Sequence, residues 1–294
     1  MSRTKNNKVY IVGTVAEVDV NERTASKDPN KKFISGKVII KCVGDDEKES
    51  LIEVKVIANE KNKDGSANKN FISYKNLPAM LGQRVRVSGE LNDESIIVEE
   101  QVRHFNTIRG TFFNKARSDE ADAATFEYSG FVVKPIAERK NKDDELLGYR
   151  IEIAQANYND TAMKVIKFDV NKNDINIAQA IESNYLTGTT VKIQGKISYE
   201  SRVEVKEEEV SFGEANKKTV IYTDKVYRIT GGSEPVAEDS ADCYPMSEIK
   251  EFVAAYKTAD AEQLAKAKAE VVDETPALSE GAKKMGSLIS GSLI

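Results

Sequence analysis

The chain has 294 residues, 40% of them hydrophobic and 31% charged, a formal net charge of −5, two cysteines, one histidine and no tryptophan. That length suits two domains with appendages. Cys42 and Cys243 are too few for a disulfide framework or a zinc knuckle, and His104 alone provides no histidine pair for a metal. Charge is unevenly spread: residues 1–118 carry 21 basic against 16 acidic side chains, residues 119–232 carry 16 against 20, and residues 233–294 carry 6 against 12. The basic end is the amino-terminal one, which bears on partners and not on fold.

The Met-Ser-Arg-Thr-Lys start has no apolar run behind it, and no later stretch approaches bilayer length. A cytoplasmic protein without a membrane partner is expected. There is no glycine-rich phosphate loop ending in Lys-Ser or Lys-Thr and no dinucleotide fingerprint, and the carboxylates stand in solvated clusters. The chain therefore reads as a protein that is not an enzyme and uses neither cofactor nor metal.

Short alternating runs open the chain: Val9 to Asp19, Phe33 to Val43, Leu51 to Ala58, Arg84 to Leu91 and Ile96 to Val102. They predict five strands. In the fourth, Val85, Val87 and Leu91 share one face while Arg84, Arg86 and Ser88 share the other, as in a half-buried strand. Between the third and fourth runs, Tyr74, Leu77, Met80 and Leu81 predict a helix kept short by Pro78.

The same order then repeats. Val9 to Val15 is echoed by Phe126 to Val132, and Leu81 to Leu91 by Leu186 to Ile197. Gly13 matches Gly130 at an offset of 117 and Gly89 matches Gly195 at an offset of 106, which places the length change in loops. Tyr149 to Ala156 and Ala162 to Val170 take the places of the second and third strands. Asn173-Asp174 caps a predicted helix through Ile177, Ala178 and Ile181 that Gly188 ends. Glycines recurring inside strands mark bends or close approaches of the kind small closed barrels need. Tyr10, Tyr128 and Phe168 fall in apolar positions and are expected in the core. Residues 203–229 predict a long hairpin around Phe212 to Lys218, either an extended arm or a surface elaboration.

From Gly231 the composition turns acidic, as in a linker. Pro245 then suits the first turn of a helix whose Ile249, Phe252, Val253 and Tyr256 share one face. That face is expected to dock on a barrel or on another protein. The chain closes on Gly286-Ser287-Leu288-Ile289 and Gly291-Ser292-Leu293-Ile294.

Three strands, a helical plug and two strands is the order of an oligonucleotide-binding (OB) barrel. The Gly82 to Leu91 stretch and its echo Gly188 to Ile197 resemble the fourth strand of such barrels. Over residues 8–230 the arrangement is similar to tandem OB-fold single-stranded DNA-binding proteins of replication systems, bacteriophage ones included. The fold expected is mainly β: a first five-stranded barrel in 1–118, a second with an extended hairpin in 119–232, and an acidic linker, amphipathic helix and flexible tail in 233–294.

The resemblance implies a ligand face on the second and third strands of each barrel. Cationic grooves hold phosphates and aromatic rings stack on bases, which singles out Lys31, Lys32, Phe33, Lys37, Lys41, Lys55, Arg84, Arg86, Arg103, Phe105, Arg109 and Phe112 in the first barrel. Arg150, Tyr158, Lys164, Lys192 and Lys196 are the candidates in the second, where the acidic balance weakens the case. The implied function is sequence-tolerant binding and protection of single-stranded DNA in replication or recombination, in the host cytoplasm if the protein is phage-encoded. The competing reading is a phage structural or assembly protein using tandem β-domains for protein contacts. Bacterial single-strand binders often recruit replication partners through an acidic, apolar-tipped tail. Lys283 and Lys284 depart from that ending, so recruitment of replication or recombination proteins by this tail, like homo-oligomer formation, stays an open expectation.

Overall fold

The computed structural model describes residues 3–26, 28–44, 48–141, 144–157, 159–208 and 216–273, the side chains at 200–224 and 270–273 excepted. Within these the elements are β1 (Asn7–Ala25), β2 (Asp28–Val43), β3 (Glu49–Asn59), α1 (Lys69–Lys75) with a 3-10 turn (Leu77–Met80), β4 (Arg84–Val98), β5 (Gln101–Lys115), β6 (Ala123–Lys140), β7 (Leu146–Ala156), β8 (Met163–Asn171), α2 (Ile175–Asn184), β9 (Thr190–Glu208), β10 (Asn216–Gly232) and α3 (Met246–Asp273).

Alternation drives the strands inward on one side. In β2, Ile34, Val38, Ile40 and Cys42 are buried while Lys37, Ile39 and Lys41 point outward. In β4, Val85, Val87 and Leu91 are buried beneath the outward Arg84 and Arg86. Each fully buried aliphatic side chain contributes about 1.5–3 kcal/mol through removal from water.

β1 pairs with β2 on one side and β4 on the other, β2 pairs with β3 and β4 with β5, and a parallel bridge between Lys55 and Arg109 joins β3 to β5. The five strands close on themselves in the cyclic order 1-2-3-5-4. β6 to β10 repeat the cycle, with a parallel bridge between Asp169 and Arg228 joining β8 to β10. Each cycle is plugged at one end, by Phe71, Tyr74 and Leu77 in the first half and by Ala178, Ile181 and Tyr185 in the second.

The halves join through antiparallel pairing of β1 with β6, making one ten-stranded sheet. Val9 pairs with Phe126, its own counterpart at the offset of 117, while Lys8 and Tyr10 pair crosswise with Glu127 and Thr125. That register is self-complementary, as across a two-fold axis between identical subunits. The glycines carry the same signature. A Cβ at Gly13 would meet the Lys41 carbonyl oxygen at 2.4 Å, and one at Gly130 would meet that of Ala154 at 2.1 Å. At Gly89 and Gly195 the obstructions are the Arg109 and Arg228 carbonyl oxygens, at 2.2 and 1.9 Å. Duplicated close approaches, not tolerated surface glycine, account for these four positions.

Three expectations are corrected. The run Ile96 to Val102 is not the fifth strand: β4 continues to Val98, turns through Glu99 and Glu100 at φ 51° and 59°, and the fifth strand is Gln101–Lys115. The turn uses two glutamates where glycine or asparagine is the usual choice, so nothing in the sequence marks it. Tyr10 is 37% exposed, its hydroxyl 2.6 Å from Glu120, whereas Tyr128 and Phe168 are buried as expected. The acidic segment before α3 is not a loose connector either: Asp242 accepts from the Thr4 amide and pairs with Lys192, and Tyr244 is buried.

α3 lies on the second half. Ile249, Phe252, Val253 and Tyr256 pack with Phe131, Ala154, Ala156, Met163 and Val165, and the Phe131 and Phe252 rings stack at 6.3 Å. The helix then reaches the β4–β5 hairpin of the first half. Tyr256 donates to Asp93 at 2.6 Å and lies 2.7 Å from His104 Nδ1, whose Nε2 is 3.0 Å from Asp260. Burial, followed by the bond to Asp93, pushes the Tyr256 hydroxyl far above the usual tyrosine range. Within the described residues no helix is long and apolar enough to cross a membrane.

Candidate nucleic-acid interface

Strand register assembles the site. Lys37 on β2 stands opposite Lys55 on β3, and Lys55 beside Arg109 on β5, giving a row of three cations across the outer face of the first half. Like charges directly opposed destabilise a sheet. Lys55 is relieved by Glu94, 2.6 Å away, and rests 5.2 Å from the centre of the Phe105 ring. Lys37 and Arg109 have no ion pair among the described residues. Ile39 and the half-exposed Ile57 flank the row, and Phe33 stands opposite Asn59 at its end. Next to the row is a cavity of about 250 Å³ lined by Ser35, Gly36, Lys55, Val56, Ile57, Asn92, Glu94 and Arg109. Burial would raise the Glu94 carboxyl, but hydrogen bonds from Lys55, Thr107 and Asn92 outweigh it and hold the group below its usual range.

The second half closes one end of this face. Tyr199 on β9 donates to the Glu53 carbonyl at 3.2 Å, and Lys225 on β10 pairs with the Glu53 carboxylate at 3.1 Å. The first half returns the contact: Asn106 on β5 bonds the Val165 carbonyl and the Lys167 amide of β8, both at 2.9 Å.

The remaining candidates fall elsewhere. Lys31 and Lys32 sit at the far end of β2 beside Asp28 and Glu22, and Lys41 is paired with Glu49. Arg103 is near the hairpin tip, 3.3 Å from Glu99. Arg84 and Arg86 are drawn to Asp122 and Glu120, both at 2.6 Å, on the β1–β4 side. Arg86 and Tyr10 together hold the Glu120 carboxyl down at about 2. Phe112 is exposed opposite Ser88, which also faces Tyr10, so these two rings share the β1–β4 side. The alternation that made Arg84 and Arg86 look like a free cationic face carried no sign of the 117–122 segment that neutralises it. Conversely, Ser35, Ile57, Asn92, Glu94, Tyr199 and Lys225 were not singled out, because only register brings them to the row.

The second half differs where it matters. The place of Lys55 beside Arg109 is taken by Asp169 beside Arg228. Asp169 is buried and binds Arg139 at 2.8 Å and Arg150 at 2.9 Å. Lys164 pairs with Glu90 and Lys192 with Asp242, while Lys196 is exposed on β9. Tyr158 lies outside the described residues. The outer β7–β8 face at Ala154, Met163 and Val165 is covered by α3. A second cavity, about 300 Å³ between α2 and the end of β10, includes Glu234 and no lysine or arginine in its lining, so it does not suit a polyanion. Among the described residues no group of three His, Cys, Asp or Glu is placed to hold a metal ion.

No curated protein matches the chain. Its fold is similar to that of the wild-type single-stranded DNA binding protein from Thermus aquaticus, at 11% identity over 81% of this chain and 97% of that one, with a TM-score of 0.52. A deletion mutant of the same Thermus aquaticus protein aligns at 10% identity over 81% and 98% of the two chains, with a TM-score of 0.49. The YorF family model matches residues 5–270, and the chain belongs to the YorF family.

Proposed function

We propose that this protein binds single-stranded DNA with little sequence requirement along the β2–β3–β5 face of its first half, protecting the strand in replication or recombination without catalysing a reaction on it. The observation that carries the reading is the row Lys37, Lys55 and Arg109 with the Phe105 ring beside it. Phosphates are held by such cations, and a base stacked on an aromatic ring adds about 1–3 kcal/mol. Rings and charges interleave on one open face, and the basic surplus of residues 1–118 draws a polyanion to this half. The fold neighbour's name, a single-stranded DNA binding protein, supports the same ligand.

The second half serves as a scaffold in this reading. Its middle cation is replaced by Asp169 and its β7–β8 face is occupied by α3. Titrating labelled oligo-dT at about 50 and about 200 mM salt tests the proposal. Three phosphate contacts give a slope of about −2 in log K against log salt. Binding absent at the lower salt would sink it.

A further inference from the structure

We infer that the cavity beside the cationic row is a subsite for a single cytosine base, which gives an otherwise tolerant binder a preference for cytosine over thymine. The inference rests on the proposal that this face binds single strands.

A carboxylate at the centre of this face relieves Lys55 and at the same time repels a nucleic-acid backbone, so the space beside it suits a base better than a phosphate. Glu94 is that carboxylate, ionised, 31% exposed, and fixed by Lys55 at 2.6 Å and Thr107 at 2.9 Å. At about 250 Å³ the cavity is below the roughly 300 Å³ at which drug-sized ligands begin to fit, so it suits one ring rather than a stacked pair. Ile57 gives it an apolar side, and Arg109 and Ser35 supply donors on the others.

Counting donors and acceptors selects the base. An ionised carboxylate accepts about four hydrogen bonds. Lys55 and Thr107 donate to Glu94, which leaves acceptor capacity facing the cavity. Arg109 has no ion pair among the described residues and presents a fork of donors. The site therefore offers both an acceptor and a fork of donors, which separates cytosine from thymine. Cytosine matches: its N4 amine donates to Glu94 while N3 and O2 accept from Arg109. Thymine places a carbonyl where cytosine has the amine, against the Glu94 carboxylate. Single-stranded bases are commonly read on this Watson–Crick edge.

The test compares labelled (dC)15 with (dT)15 by fluorescence anisotropy near pH 8, adding N4,N4-dimethylcytosine oligonucleotides and the Glu94→Ala variant. Wild-type protein is expected to bind (dC)15 about tenfold tighter than (dT)15, and dimethylation of N4 is expected to remove the advantage. Glu94→Ala should equalise the two oligonucleotides while raising affinity for (dT)15, because Lys55 loses its counter-charge and the face loses a negative one. Equal binding of (dC)15 and (dT)15 by wild-type protein overturns the cytosine subsite and leaves the single-strand reading standing. A preference that survives N4 dimethylation also overturns the subsite. That comparison uses only wild-type protein, so it holds even where Glu94→Ala does not fold. Failure of either oligonucleotide to bind at low salt overturns both.

Discussion

Arg109 illustrates how a residue's role depends on its neighbours. Its counterpart Arg228 stands beside the buried Asp169, whereas Arg109 stands between Lys55 and Glu90 and forms no ion pair among the described residues. Arg109→Ala is expected to weaken oligo-dT binding and to reduce the salt slope by about 0.7, and to cost (dC)15 more than (dT)15 because the fork that reads the base is lost with the charge, while Arg84→Ala, whose partner is Asp122, leaves that slope unchanged. Salt-dependent titrations of the two variants check both. Glu120 gives a pH dependence with a definite sign. Its folded-state carboxyl lies near 2, below the ordinary 4.5, so its contribution is fully present above about pH 4.5 and disappears as pH falls through about 2. The stability gap between wild type and Glu120→Gln in urea titrations should therefore be constant at neutral pH and narrow below about pH 4.5. Burial, then the nearby Asp122 carboxylate, pushes the Cys42 thiol up to about 12. In the native protein it is expected to resist alkylation at pH 8 and to react once urea unfolds the first half, a result read by mass spectrometry.

At the scale of elements, α3 joins the two halves. Its apolar turn seats Phe252 against Phe131 and Tyr244, and its later turns latch onto Asp93, His104 and Ser95 of the β4–β5 hairpin. Phe252→Ala is expected to cost about 3–5 kcal/mol in urea unfolding, because the ring is buried in a packed cluster. A loss below about 1 kcal/mol would mean that the helix is only loosely seated. Much of this level was legible in the sequence. The period-2 runs gave four of the first five strands, Pro78 limited the first helical plug, and the stripe Ile249, Phe252, Val253, Tyr256 predicted a docked helix. The β4–β5 turn was not legible, since glutamates at positive φ carry no turn signature, and misplacing it put Phe105 and Arg109 outside the strand that holds them. Nor was the pinning of Arg84 and Arg86, which depends on where the chain runs after β5.

For the whole molecule, duplication has been kept in the backbone and abandoned on the surface. The self-complementary β1–β6 register and the paired glycines preserve the geometry of two equivalent halves. Between them the middle cation has become an acid, and one outer face has gained a helical cover. Each half also reaches across to the third strand of the other, Tyr199 and Lys225 to Glu53 and Asn106 to Val165 and Lys167, so the open face of the first half is finished by the second. The asymmetry was visible as charge balance, but not its cause, because α3 and Asp169 act through contacts between segments far apart in the chain. Photo-crosslinking of an iododeoxyuridine-substituted oligo-dT, with the modified peptides mapped by mass spectrometry, tests the assignment most directly. Crosslinks are predicted within residues 33–59 and 101–115. Crosslinks concentrated in residues 146–171, on β7 and β8, would contradict it.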